Sequence, residues 1–487
     1  MSQPVNFLTD FPDRISPMLV KELRQGMRAK TFIVMFLALQ IFLAVMLFSA
    51  GASSSSDHVG STISGIIFLF FSVAVLLVQP LRGMNALSSE VKGNTIDMMV
   101  LTSLSAWRIV FGKWVAIISQ SALLLSTIIP YLILRYFFGG MNLIGEIVLL
   151  ILIFITSMTL TAVTVGLSGC HSIIVRTLLP ILSLPVLLWS MLMMAFSGPR
   201  GASFLIDSLT LNSTESQLTV LTYVLLLFFI GWLMLSLGAS LIAPASENHV
   251  FWRRIVAAAL LLASCPIVYF SNVDGEWIVV VIAAICIPSM IVSLTDSSPL
   301  VSTVWESFSK RGMIGRMAGW FLLPTWHSGI LFSLSLGTAG MAAVFAISRL
   351  HPNGVSWSDD EVVVLFSLFG GILFPAVWQM FFFKEDGQRV AHYLLLLSGS
   401  LIMLGVLALL ADSMNSTGFL WAFAWNPLAF WAMLAESSAP DESVILAGVI
   451  AVDLILMFLL LLAAIRGLRN SGDFLDQSDP DSPTSEA

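Results

Sequence analysis

Twelve apolar runs, each close to the roughly 20 residues a helix needs to cross a bilayer, follow one another along this chain of 487 residues. They fall near 31–50, 63–80, 110–134, 145–169, 177–196, 218–242, 255–271, 277–294, 327–348, 362–383, 391–411 and 443–465. Hydrophobic residues make up 57% of the chain and charged residues only 10%, against about 25% charged in an ordinary soluble domain. A soluble fold of this size has no interior that could hide so much apolar surface. The sequence therefore predicts an all-α polytopic membrane protein with about twelve transmembrane helices.

Charge placement predicts its orientation. Segments expected inside carry Arg82, Lys92, Arg108 and Lys113, then Arg176, Arg253 and Arg254, Lys310, Arg311 and Arg316, Lys384 and Arg389, and finally Arg466 and Arg469. Segments expected outside carry only Arg135, Arg200 and Arg349, and several are acidic. This bias puts both termini in the cytoplasm of a cell membrane. The net charge of -7 does not describe an acidic surface, because five of those charges lie in the tail 471–487. Lys and Arg beside spans suit lipid headgroups and orientation, and nothing in their pattern suggests nucleic acid. Cys170, Cys265 and Cys286 show neither disulfide nor metal-ligand spacing.

The layout divides into two six-helix halves, 1–243 and 244–470, followed by a tail over 471–487 expected to be disordered. Each half has a long inner segment after its second span and a long outer segment between its fifth and sixth. Phe419 to Leu434 is apolar but short, rich in Trp and broken at Asn426-Pro427. It reads as an outer re-entrant or interfacial hairpin. Before the first span, Leu19, Val20, Leu23 and Met27 form a stripe opposite Lys21, Arg24 and Arg28. That pattern predicts an amphipathic helix over 17–30, starting at Ser16-Pro17.

Few residues carry chemistry. Gly112-Lys113 is not part of a P-loop, since Trp107 stands where that motif needs its first Gly. Gly166-Leu167-Ser168-Gly169, with His171 nearby, has the look of an intramembrane protease motif, but small residues there also serve close helix packing. Asp359-Asp360-Glu361 is either a cation or glycosyltransferase cluster or an ordinary acidic flank. Asp453, near the middle of the last span, is a costly carboxylate that needs a partner or a water path.

The longest interior stretch that is not simply hydrophobic is Glu90 to Lys113. Gly93 can end one short helix, Asn94 or Thr95 can cap a second, and Ser105 a third. Ile96, Val100 and Leu104 share one apolar stripe. Glu90, Lys92-Gly93, Thr95-Ile96-Asp97, the run Met98 to Leu101, Thr102 to Ser105 and Ile109 to Lys113 resemble the coupling region of ABC-2 family permeases, membrane subunits of ABC transporters. Pro17 to Arg28 is similar to that family's lead-in helix. Asn94 is an extra residue, Ser103 stands where the family often has Pro, and 295–326 carries no second copy of the motif.

The resemblance implies a transport subunit, not itself an enzyme, with no cofactor of its own. ATP would be bound by a separate cytoplasmic ATPase seated against Glu90, Lys92, Gly93, Asp97 and Arg108, and a substrate would be exported. Whether the chain makes a whole pore or pairs with a second copy stays open at this level. The other reading open from the residues is an ion- or proton-coupled secondary transporter, or a polytopic membrane enzyme, built on Asp453 or the outer acids.

Overall fold

Hydrocarbon offers no partner to a peptide N–H or C=O, so a chain crossing it closes those bonds within helices. Every regular element among the described residues is accordingly helical. The computed structural model describes residues 17–52, 59–88, 105–136, 143–170, 172–177, 211, 213–244, 247, 249–270, 275–296, 304, 308, 310, 312–350, 357–382, 389–414, 416–435 and 441–477. Among these, eleven stretches are long and apolar enough to span a membrane. They coincide with eleven of the twelve expected runs, and the remaining one, at 177–196, lies beyond Thr177 outside the described residues. The protein is a multi-pass helical membrane protein.

The chain divides into two compact units, Met1–Gly169 with Arg176–Ile242, and Cys170–Val175 with Ala243–Ala487. In the first, α1 (Pro17–Met27) leads into α2 (Lys30–Ala52). The next span is α3 (Val59–Ser72), a π-helical segment (Val73–Val78) and α4 (Gln79–Gly83). There follow α5 (Ala106–Tyr136), α6 (Leu143–Leu167) and α7 (Thr214–Ile242). Phe32, Leu39 and Leu43 of α2 pack with Ile67, Phe68 and Phe71 of α3 and with α5. The wide π turns leave carbonyls for other donors, and the Ser157 hydroxyl donates to Val75 O at 2.7 Å.

The tightest helix pair in this unit is α6 with α7, and glycine makes it possible. A Cβ on Gly166 would strike the Met234 carbonyl, and one on Gly238 would come within 2.7 Å of the Gly166 Cα. Small residues at 166–169 thus serve backbone approach. Ser168 is used as well: its hydroxyl donates to Val165 O at 2.6 Å and accepts from Leu87 N–H at 3.1 Å. That leaves its oxygen committed to structure. His171 lies outside the described residues.

The second unit holds α8 (Val250–Phe270), α9 (Gly275–Leu294), the short α10 (Gly312–Leu322), α11 (Trp326–Leu350), α12 (Asp359–Phe382) and α13 (Arg389–Met414). Two short helices, α14 (Gly418–Ala422) and α15 (Leu428–Leu434), precede α16 (Glu442–Gln477). Neither short helix can cross a bilayer. They form the hairpin expected over 419–434, and it is core: Leu420, Phe423, Leu428, Phe430 and Met433 are buried with Val363, Leu404 and Val449. The last helix runs to Gln477, into the tail expected to be disordered from Ser471. Adding residues to an existing helix costs little, and no Pro intervenes before Pro480. Residues 478–487 lie outside the described set.

Replacing Gly238 by Val should destabilise the protein by about 1–3 kcal/mol, the usual cost of overpacking. Gly405→Ala, where a new Cβ meets open space, should be neutral or mildly stabilising. Thermal unfolding of the two variants in detergent checks the contrast.

Candidate functional site

The residues predicted to touch an ATPase fall mostly between α4 and α5. Glu90, Lys92, Gly93 and Asp97, with the stripe Ile96, Val100 and Leu104, lie outside the described residues. Both flanks of this segment are described. After α4 the chain turns, with Ala86 N–H donating to Gly83 O at 3.0 Å. At the other end α5 begins directly after Ser105, whose carbonyl accepts from Arg108 N–H at 3.0 Å. Arg108 is exposed on that first turn.

The lead-in helix is fastened to these flanks. Glu22 of α1 pairs with Lys113 of α5 at 3.1 Å, and both side chains are largely shielded. Arg82, at the end of α4, donates to Gly26 O at 3.4 Å, to Gln79 Oε1 at 3.2 Å and to Gln120 Oε1. Gly26 has no side chain to offer because the Gln120 amide occupies that place. So α1 is held against α4 and α5 by charge and shape together. Its opposite face stays open, with Lys21, Arg24 and Arg28 exposed. The sequence predicts the amphipathic helix but not the Glu22–Lys113 pair, which joins residues 91 apart.

Asp453 sits in the second unit, and the fold explains how its burial is arranged. Gly370 stands eleven residues after Asp359, and Asp453 eleven after Glu442. At 1.5 Å per residue both are about 16 Å along their helices, roughly half of a 30 Å hydrocarbon layer. The Asp453 carboxyl lies against Gly370, with Oδ1 where a side chain on 370 would begin. Pro427, at the hairpin tip, closes the same spot, its Cγ 2.6 Å from that missing Cβ position. Leu428 covers Gly371 in the same way.

Trp425 reaches still further along α12, with ring centroids 5.1 Å from Phe374 and 5.3 Å from Trp378. The hairpin tip therefore packs about halfway along α12 and α16. The Asn426 side-chain oxygen accepts from Leu428 N–H at 3.1 Å, which restarts the helix after the break. Asp453 is 2% exposed, and among the described residues neither of its oxygens has a hydrogen-bond partner.

A third cluster is one that sequence reasoning passed over. Arg253 and Arg254, near the start of α8, both bond Asp296, just past the end of α9, at 2.7 and 2.9 Å. All three side chains are at most 4% exposed. Arg254 also donates to Phe321 O at 2.7 Å, Leu323 O at 2.9 Å and the Ser328 hydroxyl at 2.7 Å, and lies over the Phe332 ring at 5.6 Å. One guanidinium thus ties α8, α9, α10 and α11 together. Counted by sequence, these arginines read only as orientation signals. The available clue was the pairing of Arg253-Arg254 with Asp296 at the same end of two neighbouring spans.

The acidic trio is a helix start. Ser358 N–H donates to Glu361 Oε2 at 3.0 Å, while the Ser358 hydroxyl accepts from Glu361 N–H at 3.4 Å. That reciprocal box gives Glu361 a structural role. No cluster of metal-ligating side chains occurs among the described residues. No family model, curated protein or solved structure matches this chain.

Removing Asp296 would take away the carboxylate that both buried guanidinium groups share. Asp296→Ala should cost about 3–5 kcal/mol, the usual effect of breaking a buried ion pair from one side. Asp412→Ala, at an exposed position, should change stability by no more than about 0.5 kcal/mol. Chemical denaturation of both variants in mixed micelles measures the difference.

Proposed function

We propose that this chain is the membrane subunit of an ABC-2 type exporter, driven by ATP hydrolysed on a separate ATPase chain. One observation carries the reading. The amphipathic helix α1 is pinned by Glu22–Lys113 and by Arg82 to the two helices that bracket the segment 89–104. A partner pressing on that segment would then load α1, α4 and α5 as one body. The resemblance of Glu90 to Lys113 to the coupling region of such permeases supplies the identity of the partner.

In this reading both termini face the cytoplasm of the cell membrane, and the two six-helix halves carry unequal roles. Glu90, Lys92, Asp97 and Arg108 meet the ATPase, Gly93 sets the turn, and ATP binding closes the ATPase pair against this element. The span that ends in α4 and the span α5 tilt, and the substrate moves outward. The second half has no matching coupling motif. Its inner ends are cross-braced by Arg253, Arg254 and Asp296 instead, which suits a unit that resists the stroke. The chain needs no cofactor of its own, and its hairpin at 418–434 opens to the outer side.

Charge reversal in the coupling segment tests this directly. Glu90→Lys and Asp97→Lys should each leave the membrane fold intact and weaken ATPase copurification about tenfold, equivalent to ~1.4 kcal/mol. Unchanged copurification in both would move the contact elsewhere. Transport by the purified chain in vesicles that hold no ATPase would sink the reading in favour of a secondary transporter.

A further inference from the structure

Asp453 is placed where neither role in the export cycle nor plain packing accounts for it. A carboxylate moved without a partner into a low-dielectric interior carries a Born cost of tens of kcal/mol, and in practice such a group is neutralised. No cation is available to do this among the described residues. The helices packed against α16 are α11, α12 and α15. On α12 the charges are Asp359, Asp360 and Glu361, in its first turn, and α15 carries none. On α11, His327 lies against Gly467, about 21 Å along the axis from the level of Asp453. Arg349 ends that helix, about 12 Å from the same level. On α16 itself Glu442, Arg466 and Arg469 are a similar distance or more away.

The surroundings are polar in an unusual way. Ser367 stands one turn before Gly370 on the same stripe of α12, and Asn426 immediately precedes Pro427 at the hairpin tip. Both are fully buried. The Ser367 hydroxyl and the Asn426 Nδ2 lack partners among the described residues, as do both Asp453 oxygens. Three orphaned polar groups therefore lie on the segments that meet at Gly370: α12, the hairpin tip and α16. Ordinary apolar packing would not put them there.

We infer that Asp453 is a proton-binding site, a neutral carboxylic acid while the hairpin tip is seated on Gly370, and that it exchanges its proton with water when the tip lifts. The balance is simple: the carboxylate takes a proton from hydronium to give the acid and water, and the reverse step returns it. Seating the tip expels water and favours the neutral form. Lifting it hydrates Asp453 together with Ser367 and Asn426, favours the charged form and releases the proton. Gly370 is required because any side chain there would take the space of the carboxyl oxygen and of Pro427. The inference does not depend on ATP coupling.

Infrared difference spectroscopy of the full chain in lipid nanodiscs tests it. At neutral pH the protein should show a protonated-carboxyl C=O band that is missing in Asp453→Asn. The Asn variant, a neutral isostere, should keep the thermal midpoint, and Asp453→Lys should lose it. Gly370→Ala and Pro427→Ala each admit water by a different route. In at least one of them the band should titrate away at a lower pH than in the unaltered protein, since hydration stabilises the carboxylate.

Three results would overturn the assignment. One is the absence, at neutral pH, of any carboxyl band that Asp453→Asn removes. Another is a thermal midpoint raised by sodium over choline in the unaltered protein but not in Asp453→Asn, which would mean a metal cation instead of a proton. The third is an unchanged titration in both tip variants, which would remove the hairpin from the process.

Discussion

Inside hydrocarbon an unpaired peptide group costs several kcal/mol, and three irregular features among the described residues are built around that cost. Plain helix settles it across most of the described residues. Where the helix is disturbed, another residue supplies the missing bond. Ser157 donates to Val75 O in the π segment, and the Asn426 side chain caps Leu428 at the hairpin break. Ser168 accepts from Leu87 N–H where the chain leaves the membrane after α4. The same rule explains why the hairpin is buried: broken backbone at mid-depth survives only when wrapped in protein.

Glycine then sets how close the helices come. Gly166 and Gly238 let α6 and α7 touch backbone to backbone, and Gly370 and Gly371 open a face on α12 for Pro427, Leu428 and Asp453. Without a hydrophobic drive between helices in lipid, such close van der Waals contact is a main source of cohesion. The two units use it differently. In the first it joins two spans, and in the second it admits the tip of a short helical hairpin and a carboxyl group.

Charged residues fall into two kinds in the fold. Exposed ones such as Lys21, Arg28 and Arg108 lie near the ends of spans, where headgroups are within reach. Buried ones are structural or chemical. Arg253, Arg254 and Asp296 hold four helices at one end of the second unit, and Lys113 with Glu22 holds α1 in the first. Asp453 is buried like these but stands apart from them, since neither of its oxygens has a hydrogen-bond partner among the described residues. That difference is what makes it chemically interesting.

Apolar run length and the spacing of apolar residues were enough, from sequence alone, to locate eleven described spans, the amphipathic α1 and the short hairpin around Asn426-Pro427, because lipid reads those patterns residue by residue. Asp453 was also legible as out of place. Tertiary structure decided what these features touch. Gly370 looks like any small residue until Pro427 and Asp453 are packed on it, and Asp296 looks like a loop acid until two arginines turn inward to meet it. Hydropathy records each side chain's preference for water or lipid, one position at a time. Pairing across 43 residues, as in Arg253 with Asp296, depends on which helices lie side by side, and only the packed chain contains that.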